Sequence, residues 1–213
     1  GIGLLGVREI ARVRCDERER SRVFANLLEM PYLDFTKPWW NQRYVSEATL
    51  NDQMYTVTGD ISLSSIYNTG VLYFNKRLAD EEYASLGGAE YIYNLVLDGK
   101  WTIDRMAQCA KDVYVDLNNN GESDEEDQLG CIFWLRLGST DPFIYSTDIE
   151  FTKRDKDGYL SLNMINDDAV KLCEQLVDFF WQPGIYAGCT SDEQQASLYA
   201  SGRVLFSGNS NLK

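Results

Sequence analysis

The sequence predicts an α/β fold, and three observations carry that prediction. Short runs rich in β-branched and aromatic residues alternate with segments of helical periodicity. Residues suited to helix N-caps, and Gly or Asp-Gly breaks, fall between them. Hydrophobic residues make up 44% of 213 positions, enough for a packed core and too many for a disordered chain.

Residues 7–30 carry dense alternating charge, with apolar Ile10, Val13, Phe24, Leu27 and Leu28 on a thin face. A helix ending at Pro31 is expected there. Residues 31–52 are aromatic and irregular. Gln53 to Thr58 reads as a strand ended by Gly59-Asp60. A polar link from Ser62 to Gly70 leads to a second strand, Val71-Leu72-Tyr73-Phe74. A helix is expected from Lys76 to about Leu86, closed by Gly87-Gly88. Asp98-Gly99 marks the next break. Thr102 reads as an N-cap, with Ile103, Met106, Ala107 and Ala110 on one helical face. A strand is expected near Leu129–Leu135, and Asp157-Gly158 between extended segments signals a hairpin. From Asp167 to 182 the pattern is helical, with Val170, Cys173, Leu176, Val177 and Phe180 at helical spacing and Trp181 assigned to the core. Ser191 opens a helix ending at Gly202, and Arg203 to Phe206 reads as a last strand.

Charge narrows the function. Lys plus Arg is 20 against 33 Asp plus Glu, a net charge of −13. Such a chain repels phosphate backbones and anionic membrane surfaces, so nucleic acid is not an expected partner. Histidine is absent, which removes Ser-His-Asp and Cys-His catalysis and His-ligated metals. The five cysteines, Cys15, Cys109, Cys131, Cys173 and Cys189, show no C-x-x-C spacing and read as small buried hydrophobes, with room for one incidental bridge. No run approaches the roughly 20 apolar residues of a membrane span. The ends of the chain suggest a piece of a longer protein.

The most specific chemistry lies at 116–127. Asp116-Leu117-Asn118-Asn119-Asn120-Gly121 fits the opening of a calcium loop, D-x-[DN]-x-[DN]-G. Calcium takes six to eight hard oxygens, supplied by loop positions 1, 3, 5, 7, 9 and 12. Here these are Asp116, Asn118, Asn120, the carbonyl of Glu122, Asp124 and Asp127. Asp127 replaces the usual Glu, so its shorter carboxylate reaches less far. The plain alternative is a solvated Asn/Asp/Gly turn without metal. Asp155, Asp157 and Gly158 look similar but read as a hairpin turn.

The aromatics suggest a polar-ligand cleft. Trp39 and Trp40 beside Pro38 form a rigid step. Trp134, Phe143 and Tyr145 follow a predicted strand, where α/β folds carry ligand sites. Flat rings stack on sugar faces, while carboxylates and Arg bind hydroxyls directionally. Asp60, Arg136 and Asp141 complete the candidate set. Core packing of each ring is the alternative.

Several segments together carry a family resemblance. Pro31-Tyr32-Leu33-Asp34 precedes Lys37-Pro38-Trp39-Trp40-Asn41 and Gly59-Asp60. Leu72-Tyr73-Phe74-Asn75-Lys76, Gly99-Lys100-Trp101-Thr102 and Asp127-Gln128-Leu129-Gly130 follow. Over about residues 24–210 this resembles the extracellular solute-binding proteins of bacterial ABC importers, closest to the family 1, sugar-binding lipoprotein type. The resemblance implies a type II periplasmic-binding-protein fold of two lobes, the first incomplete here. It implies an uncertain N-terminal segment at 1–30, a remnant of lobe 1 at 31–60 and an interlobe crossing at 61–70. Lobe 2 is then 71–206, and 207–213 begins the return to lobe 1. It further implies a non-enzymatic monomer that holds a carbohydrate between its lobes and delivers it to a membrane permease. The full-length protein is then extracellular and lipid-anchored. Residues 1–23 match nothing in that family.

Two other functions stay open. A glycan-processing enzyme would use paired carboxylates, for which 33 acidic residues supply many candidates. A calcium-stabilised interaction module would dock a protein through its loop.

Overall fold

A computed structural model describes residues 24–67, 69–136, 140–156 and 158–211. The chain divides into two compact units. One comprises residues up to Ile66 with Arg154–Ser161, and the other Tyr67–Lys153 with Leu162–Lys213.

The second unit is a mixed α/β body on a four-stranded sheet. Its strands are β1 (Gly70–Phe74), β2 (Leu129–Ile132), β5 (Ile185–Tyr186) and β6 (Val204–Asn211), in the order β1-β6-β2-β5. β2 runs parallel to both neighbours, with Cys131 opposite Phe206 on one side and Ile185 on the other. β1 runs antiparallel to β6, and its register shifts between Val71 and Tyr73. All four residues of β2 are buried. Cys131 and Phe133 face one cluster, Ile132 the other. A strand covered on both faces needs no polar alternation, which is why Leu-Gly-Cys-Ile reads as a continuous apolar run.

Helices cover the sheet, and side-chain caps set where most of them begin. Asn75, Thr102, Asn166 and Ser191 accept hydrogen bonds from the N–H groups of Leu78, Arg105, Ala169 and Gln194. These open α3 (Lys76–Glu82), α5 (Ile103–Val113), α7 (Asp167–Phe180) and α8 (Asp192–Ala200). Each cap satisfies a donor the first turn leaves free, worth about 1 kcal/mol. α4 (Ala89–Leu97), not anticipated from the sequence, starts where Asp80 accepts from Ala89 N at 2.7 Å. The cap comes from the preceding helix, so no local pattern announces it. α5 buries Met106, Cys109, Ala110 and Val113, and α4 adds Ile92 and Leu95. Phe133 meets Phe179 and Phe180 edge-on at 5.8 and 5.2 Å. Among the described residues no helix is long and apolar enough to cross a membrane.

The first unit holds α1 (Gln42–Ala48), capped by Asn41, and its described residues include a single 3-10 turn at Leu27–Glu29. The expected helix over 7–30 is therefore only that turn within residues 24–30; its earlier part lies outside the described residues. The strand expected at 53–58 does not form. Met54 is fully buried, but its N–H donates to Asn26 Oδ1 and its carbonyl accepts from Leu27 N. Thr58 O takes Asn41 N. The backbone is satisfied piecemeal, with no neighbouring strand to give a ladder. α2 (Leu63–Tyr67) falls in the polar link. The hairpin expected around 157–158 is present as β3 (Thr152–Arg154) and β4 (Leu160–Leu162), although Asp157 lies outside the described residues.

Two expectations about α7 are corrected. The helix buries Ala169, Leu172, Leu176 and Phe179, leaving Val170, Cys173 and Val177 exposed. Trp181, assigned to the core, is 84% exposed. The apolar arc of this helix is wider than the strip the sheet covers, so periodicity finds the helix and not the buried strip. Of the cysteines, Cys109, Cys131 and Cys189 are buried and free, while Cys15 lies outside the described residues.

One contact sets how closely α5 lies on β2. A Cβ at Gly130 would sit 2.0 Å from Ala110 Cα and 2.3 Å from its carbonyl oxygen. Backbone cannot yield as a side-chain tip can. Gly130→Ala is expected to destabilise the fold by about 1–3 kcal/mol. The check is a lower urea midpoint by circular dichroism at an unchanged slope.

Candidate functional site

The acidic loop hangs between α5 and β2. Val115 and Gln128 close its base with two backbone hydrogen bonds of 3.0 and 3.1 Å. Inside, side-chain oxygens fold the backbone through successive turns. Asn118 Oδ1 accepts from Asn120 N, Asn120 Oδ1 from Glu122 N, and Asp124 Oδ1 from Glu126 N, at 2.8–3.0 Å. Asp116 Oδ2 reaches across to Gly121 N at 2.9 Å. Gly121 has φ +81°, a conformation L side chains avoid, which accounts for glycine at the sixth position.

Asp127 is 1% exposed. Its Oδ1 accepts from Leu117 N at 2.9 Å and its Oδ2 from Asp124 N at 3.1 Å. A buried carboxylate is costly without such donors. The shorter Asp side chain at the twelfth position thus ties both ends of the loop.

Oxygen donors for a hard cation are gathered here, in a particular state. Asp116 Oδ1 is buried and has no hydrogen-bond partner. Asp124 Oδ2 receives the amides of Asn118 and Asn120 at 3.0 and 2.6 Å. Glu122 O accepts from Tyr114 Oη at 2.9 Å. The two amide groups present nitrogen, not oxygen, to Asp124, and a cation requires them to turn. Among the described residues no three Asp, Glu or Cys side chains converge on one point. The three carboxylates, two Asn amides and one carbonyl would offer only oxygen once the amides turn, which is the ligand type calcium takes.

Residues far away in sequence hold this loop. The Arg203 guanidinium donates to the carbonyls of Glu125, Glu126 and Asp127. Gln194 Nε2 donates to Glu125 Oε2, and Gly184 N to Ser123 Oγ. None carries a local sequence signal, because their role exists only once β5, α8 and β6 are assembled.

The second candidate lies where β2 leaves the sheet. Arg136 Cζ sits 4.6 Å from the Trp134 ring centroid, and its guanidinium is 3.6 Å from Asp192 Oδ2. Trp134 pairs with Gly188 in an isolated bridge. Trp134 N donates to Gln195 Oε1 at 3.0 Å, and Gln195 Nε2 donates to Ser207 Oγ and Gly208 O. Gln195 is 5% exposed, a buried polar joint between the residues that follow β2 and the middle of β6. Sequence reading missed Gln195 and Asp192. Asp141 and Tyr145 stand one turn apart on α6 (Asp141–Tyr145), and Tyr145 is 80% exposed.

The remaining predicted residues belong to the first unit. Trp39 is 48% exposed, and Asp60 N donates to Trp39 O at 2.9 Å, so these two adjoin. Trp40 is buried, its ring 5.2 Å from that of Phe35 and its Nε1 without a partner. The exposed face of this aromatic step is therefore Trp39.

No family model, curated protein or solved structure matches the chain.

Asp124 is held below its ordinary value of 3.8 by the Glu126 N–H, then by the Asn118 and Asn120 amides. A depressed folded pKa stabilises above the unfolded value, and that contribution is lost as pH falls through the folded one. Stability is expected to decline below pH 3.8, and Asp124→Asn to flatten that part of the decline. Urea midpoints measured on either side of pH 3.8 test this.

Proposed function

We propose that the chain is the solute-capturing part of an extracellular, lipid-anchored binding protein serving an ABC importer, and that its solute is a carbohydrate. The observation that carries this reading is the Trp134–Arg136 pair just past the carboxyl end of β2, braced by Gln195 against the middle of β6. Open α/β sheets bind ligands at such strand ends. With the Arg136 guanidinium over one face of the Trp134 ring, a sugar would stack its apolar side on the other face and turn its hydroxyls to Arg136. Trp39 and Asp60 supply the same chemistry in the first unit. In this reading the two units are parts of two lobes of a type II binding fold, a monomer that closes on its solute and docks on a permease. Capture requires no nucleophile and no catalytic acid–base pair.

In the same reading the acidic loop holds a structural calcium ion. Asp116, Asn118, Asn120, the Glu122 carbonyl, Asp124 and Asp127 are its ligands. The ion supplies a fixed positive charge that the orphaned Asp116 Oδ1 lacks.

Two measurements test this. With saturating mono- or oligosaccharide, the melting temperature is expected to rise without turnover, and Trp134→Ala to weaken binding about tenfold, from lost ring contact of ~0.5–1.5 kcal/mol plus buried area. Hydrolysis of the glycan would favour a glycosidase instead. Separately, chelation is expected to lower the melting temperature, since calcium at 100 times its Kd contributes about 2.7 kcal/mol to the native state. Asp116→Ala is expected to abolish that response. An identical melting curve with and without chelator would remove calcium from the account.

A further inference from the structure

Helix α7 carries more apolar surface than the sheet covers, and a cavity lies against the surplus. Leu172, Leu176, Val177 and Phe180 line it from α7, and Ile144 and Met164 from the segment before that helix. Its volume is about 1160 Å³, and all of it lies within the second unit. That is room for a small organic molecule, since ligand pockets run to roughly 300–1,000 Å³.

The charge around the cavity has one sign. Among the described residues that line it, Glu122 alone is charged. It belongs to the acidic loop, which forms one wall through Gly121, Glu122 and Ser123. The rings of Tyr114, Tyr186 and Trp181 also line the space. Burial, and then the negative charges of Glu125 and Asp124, push the Tyr186 phenol up, which places that ring in the field of the same loop. Aromatic faces and a carboxylate at the edge of an apolar space attract a cation with a hydrocarbon body. An anion of equal size gains the same apolar contact but its head is repelled by Glu122.

We propose that this cavity binds a hydrophobic organic cation, its apolar body against α7 and its ammonium head beside Glu122. The cavity borders the Trp134–Arg136 pair, since Gly188, the bridge partner of Trp134, also lines it. Leu135 and Ile144 line the cavity, while their neighbours Trp134, Arg136 and Tyr145 do not. The proposal does not depend on the carbohydrate reading.

Cys173 provides the test, because it is exposed and lines the cavity while Cys109, Cys131 and Cys189 are buried. The full chain carrying Cys15→Ser is treated with N-ethylmaleimide, and labelling of each cysteine is followed by peptide mass spectrometry. The probes are decyltrimethylammonium and decanoate, both below their micellar concentrations. Decyltrimethylammonium is expected to slow labelling of Cys173 about fivefold, the scale of a cation–aromatic contact, with little effect from decanoate. Glu122→Gln is expected to erase the difference between the probes while circular dichroism stays unchanged. Equal protection by both probes, protection by neither, or a preference that survives Glu122→Gln would overturn the proposal. So would faster labelling of Cys109 or Cys131, which would mean the cation loosens the fold.

Discussion

β2 is buried on both faces and hydrogen-bonded to a parallel neighbour along each edge. Both candidate features hang from its ends. The acidic loop enters at Leu129, and the Trp134–Arg136 pair leaves after Phe133. Parallel strands need crossover connections, so α7 and α8 return to the sheet beside this one strand. The approach of Gly130 to Ala110 sets the depth at which α5 meets it, without a side chain between. Displacing β2 would move the loop and the pair together.

Buried polar groups then lock the position of each end. Gln195 joins Trp134 N to Ser207 and Gly208, and Asp127 joins Leu117 N to Asp124 N. Each such group is expensive to bury unpartnered, so a displaced strand would leave unsatisfied donors in a dry interior. Arg203 acts similarly from outside by satisfying three successive carbonyls of the loop. These contacts give direction to a sheet whose apolar packing alone would tolerate small slides.

The loop also stands between two kinds of chemistry. Its interior holds carboxylates and Asn amides with one unpaired carboxylate oxygen, and its outer wall lines an apolar cavity. Ser123 ties the loop to Gly184, and Tyr114 ties it to the end of α5. Through those contacts, a change in loop geometry reaches the residues that border the cavity. The net charge of −13 draws cations rather than anions toward the chain as a whole.

Local rules were sufficient for much of the fold. Asn75, Thr102 and Ser191 could be read directly, because a cap is a contact within four residues. β1, β2 and β6 announced themselves as apolar runs, and Gly121 as the turn of its loop. What tertiary structure decided has a common cause: it depends on partners distant along the chain. Residues 53–58 look like a strand, yet among the described residues no neighbouring strand pairs with them. Val170, Cys173 and Val177 fit the helical period, but the ring cluster around Phe133 draws Phe179 inward and leaves them outside. Trp40 and Trp39 are adjacent and chemically identical, and only packing on Phe35 separates the buried ring from the exposed one. The sequence by itself determined which residues can cap, turn and donate oxygen. Which of them meet was decided by the sheet, since Gln195, Arg203 and Asp192 acquire their roles only where separate strands and helices converge.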